Sequence, residues 1–399
     1  MRILYLADSF RPSRSACANR AAVLVDALRG AGHDVRVLAS SDSLLSASGS
    51  YEKPEYVTFF KTFPLEKKTL INRLRNNFGG SRESVRIADG MGDFDVVVCT
   101  TPPLLLTSSA VKIAKRKRAK LVLDVRDIWP DVAYEMGSFA PGSLYGRFFE
   151  RLARKAYRAA DLIISVSPGK IAKLRKRVPA KPVKLVPNGI DEAFANLQED
   201  PSVIERYGLL SDLPICSYVG NIGLAQGIGT LLDIAEERKD VRFLIFGKGA
   251  EEANLRKRAL SRKLENVEFC GTVEAVGVFT VLRHSTFTYI PLVSSKMGDS
   301  IPTKTYEALA CGCPVLMVAS GDAADLVEES SLGLHAPPEN QEAILEAFDV
   351  LSRNPYSSED RDNARAWVIK KHSRQEYARG FVEGINEMGL KRRRNGQDG

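Results

Sequence analysis

The 399-residue sequence has no apolar run of about 18 residues, so no segment reads as a membrane-spanning helix. Its start, MRILYLADSFRPSRS, lacks the basic stretch followed by a longer apolar one that marks a secretion signal, which argues for the cytoplasm. Cysteine is sparse and scattered, at positions 17, 99, 216, 270, 311 and 313. Only Cys311 and Cys313 are close, and no His or Cys stands beside them. No disulfide framework is expected, and the thiols read as small buried hydrophobes. Histidine is scarcer still, with four residues; His33 falls in the turn GAGHDV, a common surface feature.

Apolar residues make up 44% of the chain and charged residues 27%, the balance of a soluble globular protein. A chain this long exceeds one hydrophobic core, so two domains are expected. The net charge of +8 is unevenly placed. Residues 1–195 hold 33 Lys and Arg against 19 Asp and Glu, and the remainder holds 24 against 30. The first half is therefore strongly basic and the second mildly acidic, so the first half is expected to meet something anionic.

Short, nearly continuous apolar segments alternate with helix-spaced ones. RILYLA (2–7), VRVLAS (35–40), DVVVC (95–99), KLVLDV (120–125), DLIISVS (161–167) and VKLVP (183–187) read as strands. Helices are predicted over 18–31, 107–118, 143–160 and 168–177. The stretch 188–213 breaks the alternation and reads as a linker. The pattern then restarts with strands ICSYVG (215–220), VRFLIFG (241–247), NVEFCG (266–271), FTYIPL (287–292) and PVLMV (314–318), followed by helices near 339–353 and 374–388. Buried strands alternating with helices predict parallel sheets covered on both faces. Two such halves place a ligand cleft at the carboxyl ends of their strands.

Three segments of the second half carry chemistry. In SYVGNIGLAQGIG, Gly220 and Gly223 lie at a strand-to-helix turn, where backbone N–H groups can approach a phosphate. In FLIFGKGAEE, Gly247 and Gly249 flank Lys248; the plainer reading is a tight turn with a solvated lysine. In SSKMGDSIPTKTYEALACGCPV, Asp299 and Glu307 are interleaved with Lys296 and Lys304. Carboxylates there can accept from ribose or sugar hydroxyls, and ammonium groups can offset the charge on a leaving diphosphate.

VPNGID (186–191), FLIFGKG and KTYEALACGCPV, in that order, resemble family 4 glycosyltransferases of the GT-B fold. LVLDVRDIWPD and YVGNIGLAQG are similar to bacterial enzymes of O-antigen, capsule and colanic-acid assembly. The resemblance implies an α/β chain of two Rossmann-like, doubly wound domains facing a central cleft. Residues 1–190 would bind acceptor and 191–373 the nucleotide-sugar. A helix at about 374–390 would pack back on the first domain, and 391–399 is a polar tail.

It further implies a retaining, metal-independent transfer with no cofactor. A sugar, expected to be an N-acetylated aminosugar, would pass from a UDP-sugar to a lipid-linked or saccharide acceptor. The leaving phosphate would take the acceptor proton, so no nucleophile is assigned. Glu307 matches the family's ribose carboxylate, and Asp299, one methylene shorter than the usual glutamate, matches its sugar contact. Backbone N–H groups of Gly298, Ser300 and Ile301 are the alternative sugar contacts. Gly220, Asn221, Gly223, Gln226, Gly247, Lys248 and Gly271 complete the expected donor site. Asn221 and Gln226 stand where many relatives carry Arg and Lys, leaving Lys296 and Lys304 to neutralise the diphosphate. Arg14, Arg20, Asp124, Arg126 and Asp127 are the expected acceptor residues, with Asp127 also a catalytic candidate. The family's first loop is glycine-rich, whereas here it reads Arg11-Pro12-Ser13-Arg14-Ser15-Ala16.

Two other enzymatic or structural readings fit the same shape: a nucleotide-sugar epimerase, and a non-catalytic partner subunit, which the neutral Asn221 and Gln226 leave open. Nucleic-acid binding is suggested by charge alone and has no motif behind it. An anionic membrane surface on the cytoplasmic side is the expected partner of the basic half. EKKTLINRLRNNF gathers Leu70, Ile71, Leu74 and Phe78 among Lys67, Lys68, Arg73 and Arg75, and YGRFFERLARKAYR gathers Phe148, Phe149 and Leu152 among arginines. For the second of these, packing of the apolar face on the sheet is the simpler expectation.

Overall fold

In the computed structural model the chain divides into two units, Met1–Asn188 with Gln375–Gly399, and Gly189–Arg374. The structure describes residues 1–13, 15–46, 51–62, 70–223 and 226–394, apart from the side chains of 46, 70–74 and 390–394.

The first unit runs β1 (Arg2–Ala7), α1 (Ala16–Gly30), β2 (Asp34–Ser40), β3 (Val57–Phe60), α2 (Leu70–Asp89), β4 (Val96–Thr101), α3 (Leu104–Lys117), β5 (Lys120–Val125), α4 (Asp131–Glu135), α5 (Leu144–Ala159), β6 (Leu162–Ser165), α6 (Pro168–Arg177) and β7 (Val183–Leu185). Its strands form one parallel sheet in the order β3-β2-β1-β4-β5-β6-β7. Successive side chains of a strand point to opposite faces, so each strand feeds two cores. Leu4, Leu6, Val97, Leu121 and Leu123 pack under α2, α3, α5 and α6. Ile3, Tyr5, Val96, Val98 and Val122 pack under α1 on the other face. Helix starts are set locally: Ser15, Ser143 and Ser167 cap α1, α5 and α6 by accepting from Ala18, Gly146 and Lys170 N–H groups.

The second unit runs α7 (Glu192–Ala195), α8 (Pro201–Arg206), β8 (Ile215–Val219), α9 (Gly229–Glu237), β9 (Arg242–Phe246), α10 (Glu252–Ser261), β10 (Val267–Gly271), α11 (Ala275–His284), β11 (Phe287–Pro291), α12 (Thr303–Ala310), β12 (Val315–Val318), α13 (Asp322–Ser330), β13 (Gly333–Ala336), α14 (Gln341–Ser352) and α15 (Ser358–Lys371). Its parallel sheet has the order β10-β9-β8-β11-β12-β13. The last helix, α16 (Arg374–Arg394), buries Ala378, Phe381, Val382 and Ile385 in the same core as Ile3 and Val35 of the first unit. Both units are thus doubly wound α/β folds.

The sequence pattern missed β3 and β13. Each is a four-residue edge strand with a partly exposed face, VTFF and GLHA, so neither needs the continuous apolar run of a central strand. The 188–213 linker contains the short helices α7 and α8, and the unpredicted α13 and α15 cover the sheet of the second unit. Among the described residues no helix is long and apolar enough to cross a membrane.

Candidate active site

In the second unit β8 lies between β9 and β11, so the chain winds one way from β8 and later returns on its other side. The loop after β8 therefore stands at the reversal of strand order, where open parallel sheets bind ligands. Gly220 opens that loop with φ +151°. Its N–H donates to Phe246 O at 2.9 Å, Ile222 N–H donates to Lys248 O at 3.0 Å, and Gly247 N–H donates to Gly271 O at 2.6 Å. These bonds fasten the loops after β8, β9 and β10 together. A Cβ on Gly247 would lie 1.8 Å from Gly220 O, and one on Gly249 would lie 2.1 Å from Ile222 O. Close backbone packing is therefore what demands those two glycines. Gly271 has open space around its Cβ position, and its φ of +73° accounts for it instead. The Lys248 side chain is exposed; its carbonyl, not its ammonium, supports the loop. Gly223 leaves room for Asn221 and Gln226, whose amides lie 3.5 Å apart.

Helix α12 begins beneath this turn. Lys304, in its first turn, donates from Nζ to the Tyr218 hydroxyl at 3.1 Å and sits 4.2 Å from the centre of that ring. The Tyr218 hydroxyl in turn donates to Asn221 O at 2.7 Å. A Cβ on Gly220 would come within 3.0 Å of Lys304 Nζ, so the ammonium lies against the glycine turn. Burial lowers its pKa to about 8, and Glu307 pulls it partly back up. Glu307 follows at i+3 on the same helical side. Its carboxyl is pushed upward by burial, against the opposing influence of Arg374 and Lys304. Arg374, which sequence reasoning missed, donates to Gly189 O at 3.1 Å and stands 3.7 Å from Asp191. It lies 67 positions after Glu307 in the sequence, and no local signal connects them.

The loop from β11 to α12 carries Lys296, Gly298, Asp299, Ser300 and Ile301. Lys296 is exposed. Ser300 donates weakly to Asp299 at 3.5 Å, and its N–H bonds Met297 O at 2.9 Å. Two neighbouring loops hold this one. Glu339 accepts from Ser295 N–H at 2.9 Å and from its hydroxyl. Asp322 N–H donates to Gly298 O at 2.7 Å, with Gly321 so close that a Cβ there would stand 2.4 Å from that oxygen. Glu339 also had no signal in the sequence, because it follows the unrecognised strand β13.

In the first unit the expected acceptor residues divide. Arg14 lies outside the described residues. Arg20 and Asp124 do not face an acceptor: their side chains are 5% and 1% exposed and paired with each other, with Arg20 Nη2 2.8 Å from Asp124 Oδ1. Arg20 also donates to Pro187 O at 3.2 Å and to Asn188 at 3.3 Å. The pair braces the end of the first unit's main segment, which corrects the acceptor assignment for these two residues. Breaking such a pair costs about 3–5 kcal/mol because it strands a buried charge. Arg126 donates to Thr100 at 2.9 Å and Pro102 O at 2.7 Å, and Asp127, partly exposed, stands 3.9 Å from Lys170. Asp8, overlooked in the sequence, follows β1 at the same carboxyl edge. Burial and Asp42 raise its pKa to about 6 against the pull of Arg126.

Two Asp-x-Asp spacings occur away from these edges. Asp95 accepts from Arg2 N–H at 2.9 Å, and Asp360 caps α15. Among the described residues no three His, Cys, Asp or Glu side chains gather as a metal-ligand set.

The model of "Glycosyltransferase Family 4" matches residues 18–194, and that of "Glycosyl transferases group 1" matches 201–371. The chain is 24% identical over 307 residues to the probable glycosyltransferase WbjE of Pseudomonas aeruginosa, covering 75% of this chain and 76% of that one. It is 23% identical over 370 residues to the putative colanic acid biosynthesis glycosyl transferase WcaI of Escherichia coli K12, covering 86% and 90%. The structure of Anabaena Alr3699/HepE in complex with UDP superposes with a TM-score of 0.72 at 16% identity, covering 97% of this chain and all of that one. Two doubly wound units, the glycine turn against Lys304, and family models matched in succession along the chain make this protein a family 4 glycosyltransferase of the GT-B fold.

Proposed function

We propose that the protein is a retaining glycosyltransferase of bacterial surface-polysaccharide synthesis. It would move an N-acetylated aminosugar from a UDP-sugar to a lipid-linked saccharide at the cytoplasmic face of the membrane. The observation that carries this reading is the face of α12 that holds Lys304 against the Gly220 turn and Glu307 one turn on. An ammonium beside a glycine turn suits a diphosphate, and a half-buried carboxylate with no hydrogen bond from the described side chains suits a ribose diol. UDP is the nucleotide carried by HepE in its solved complex, and WcaI is named for colanic acid synthesis. The aminosugar rests on the similarity of LVLDVRDIWPD and YVGNIGLAQG to enzymes of that kind.

The bond from the anomeric carbon to the diphosphate oxygen breaks, and the acceptor oxygen bonds that carbon on the same face. The acceptor proton passes to the leaving phosphate. Lys304, with Lys296 at the neighbouring loop, offsets the charge that grows on the diphosphate, in place of a metal ion. Asn221 and Gln226 hydrogen-bond without adding charge.

The test is UDP titration by calorimetry with Glu307→Ala, with a thermal melt to establish folding. Each lost charged hydrogen bond is worth about 1.5–3 kcal/mol, so UDP affinity should fall on the order of 10- to 100-fold. EDTA should leave wild-type affinity unchanged. A folded Glu307→Ala protein that binds UDP like wild type would remove the ribose assignment, and strict dependence on a divalent cation would remove the metal-free one.

A further inference from the structure

The positive charge of the first unit is concentrated on one face. Helices α2, α3 and α5 lie side by side over the same core. Leaving aside Arg73, whose side chain is not described, they carry twelve Lys and Arg against three Asp and Glu, a net +9 in a chain whose total is +8. The rest of the molecule is therefore slightly acidic, and this helical layer holds the basic excess.

The same layer exposes apolar side chains. Helix α5 turns Phe149, Ala153, Ala156 and Tyr157 inward. Its outward stripe runs Leu144, Phe148, Arg151 and Lys155, at i, i+4, i+7 and i+11. Leu144 is 85% exposed, Tyr145 44% and Phe148 42%. Phe78 of α2, 46% exposed, meets Phe148 with ring centroids 6.3 Å apart. Scattered exposed hydrophobics need no explanation, but neighbouring ones on two helices, ringed by cations, form a patch. Further along α2 and α3 an open groove is lined by Ser81, Arg82, Arg86, Ser108, Lys112 and Arg116. Arg86 and Arg116 are paired with Glu83 and Asp89, whereas Arg82 and Lys112 make no ion pair among the described residues.

We propose that the α2–α3–α5 layer docks on an anionic phospholipid bilayer. Leu144, Tyr145, Phe148 and Phe78 enter the headgroup region, and Arg82 and Lys112 in the groove meet lipid phosphates. A bilayer is the occupant because apolar side chains at the end of a basic helical layer match a surface that is charged outside and apolar just beneath. This rests on the reading of the acceptor as lipid-linked, since docking would place enzyme and acceptor on one surface. Part of the expected basic segment, residues 63–69 and the side chains of 70–74, lies outside the described residues, and the proposal does not use it.

The experiment is co-sedimentation with phosphatidylcholine vesicles, with or without phosphatidylglycerol. It compares the wild type, Arg82→Glu/Lys112→Glu/Arg151→Glu and Leu144→Ser/Tyr145→Ser/Phe148→Ser. Wild type should sediment only with the anionic vesicles, and less at about 0.5 M salt, where screening is strong. Each triple variant should lose on the order of tenfold in vesicle affinity. Its UDP-induced thermal shift should stay at the wild-type value, which keeps the fold and the nucleotide site as controls. Variants that sediment like wild type would overturn the proposal. So would a wild-type protein that ignores anionic vesicles at low salt, or one that binds random-sequence duplex DNA in preference to them. If docking follows the expected pattern but UDP shifts no melting temperature, the transferase reading fails and the docking face stands.

Discussion

Lys304 shows how much one residue depends on its surroundings. Its pKa, about 8 in the fold, is below the 10.5 of an ordinary lysine because burial penalises the charged form. Between those values the unfolded chain binds more protons, so this group's drag on stability is full below pH 8 and is relieved as pH rises through that window. A bound diphosphate does the opposite, favouring the ammonium. UDP affinity is therefore expected to weaken as pH rises from 7 to 9, by up to about tenfold per pH unit above 8. The pH titration of Kd should flatten in Lys304→Gln. A wild-type Kd independent of pH across that range would mean that the ammonium does not contact the diphosphate. Lys304 and Glu307 were legible in the sequence because their spacing and the surrounding motif announce a loop-to-helix junction. Tyr218 was not: within ICSYVG it reads as one more buried strand residue, and only the packing of α12 under β8 brings its hydroxyl to Lys304. The pairing of Arg20 with Asp124, 104 positions apart, was equally invisible. Charged residues near a strand end look like ligand contacts until the fold brings them together.

At the scale of elements, the loop from β11 to α12 owes its shape to two other loops. Glu339 ties down Ser295, and the Gly321–Asp322 turn ties down Gly298. Glu339 is at the surface, so its loss should leave the melting temperature nearly unchanged while loosening the loop. Glu339→Ala is expected to weaken binding of a UDP-sugar about 5- to 30-fold, the equivalent of one or two hydrogen bonds, with much less effect on UDP alone. Glu339→Asp should recover part of the loss. Parallel titrations of UDP and UDP-N-acetylglucosamine separate the sugar loop from the nucleotide contacts, and equal losses for both would refute a role specific to the sugar. Central strands such as VVVCTT were readable because burial on both faces demands a continuous apolar run. Edge strands β3 and β13 were not, and Glu339 stayed hidden with β13.

For the whole molecule, each unit has its own sheet and its own cores, so a ligand of one unit should stabilise that unit first. Calorimetry is expected to resolve two unfolding transitions. UDP at 100 times its Kd should stabilise the Gly189–Arg374 unit by about 2.7 kcal/mol and move its transition alone. A single transition that shifts as one would show that the two unfold cooperatively. By itself the sequence determined the α/β class, the duplicated strand–helix pattern, the glycine turns and the basic first half. Each of these follows from local periodicity, backbone geometry or composition. Tertiary structure alone decided which charges meet a ligand and which meet each other. It turned Arg20 and Asp124 inward, set Lys304 against Gly220, and gathered the cations of three separate helices on one face. The physical reason is that a charge's role depends on its desolvation and its partners, and those are brought together by packing across distant stretches of chain.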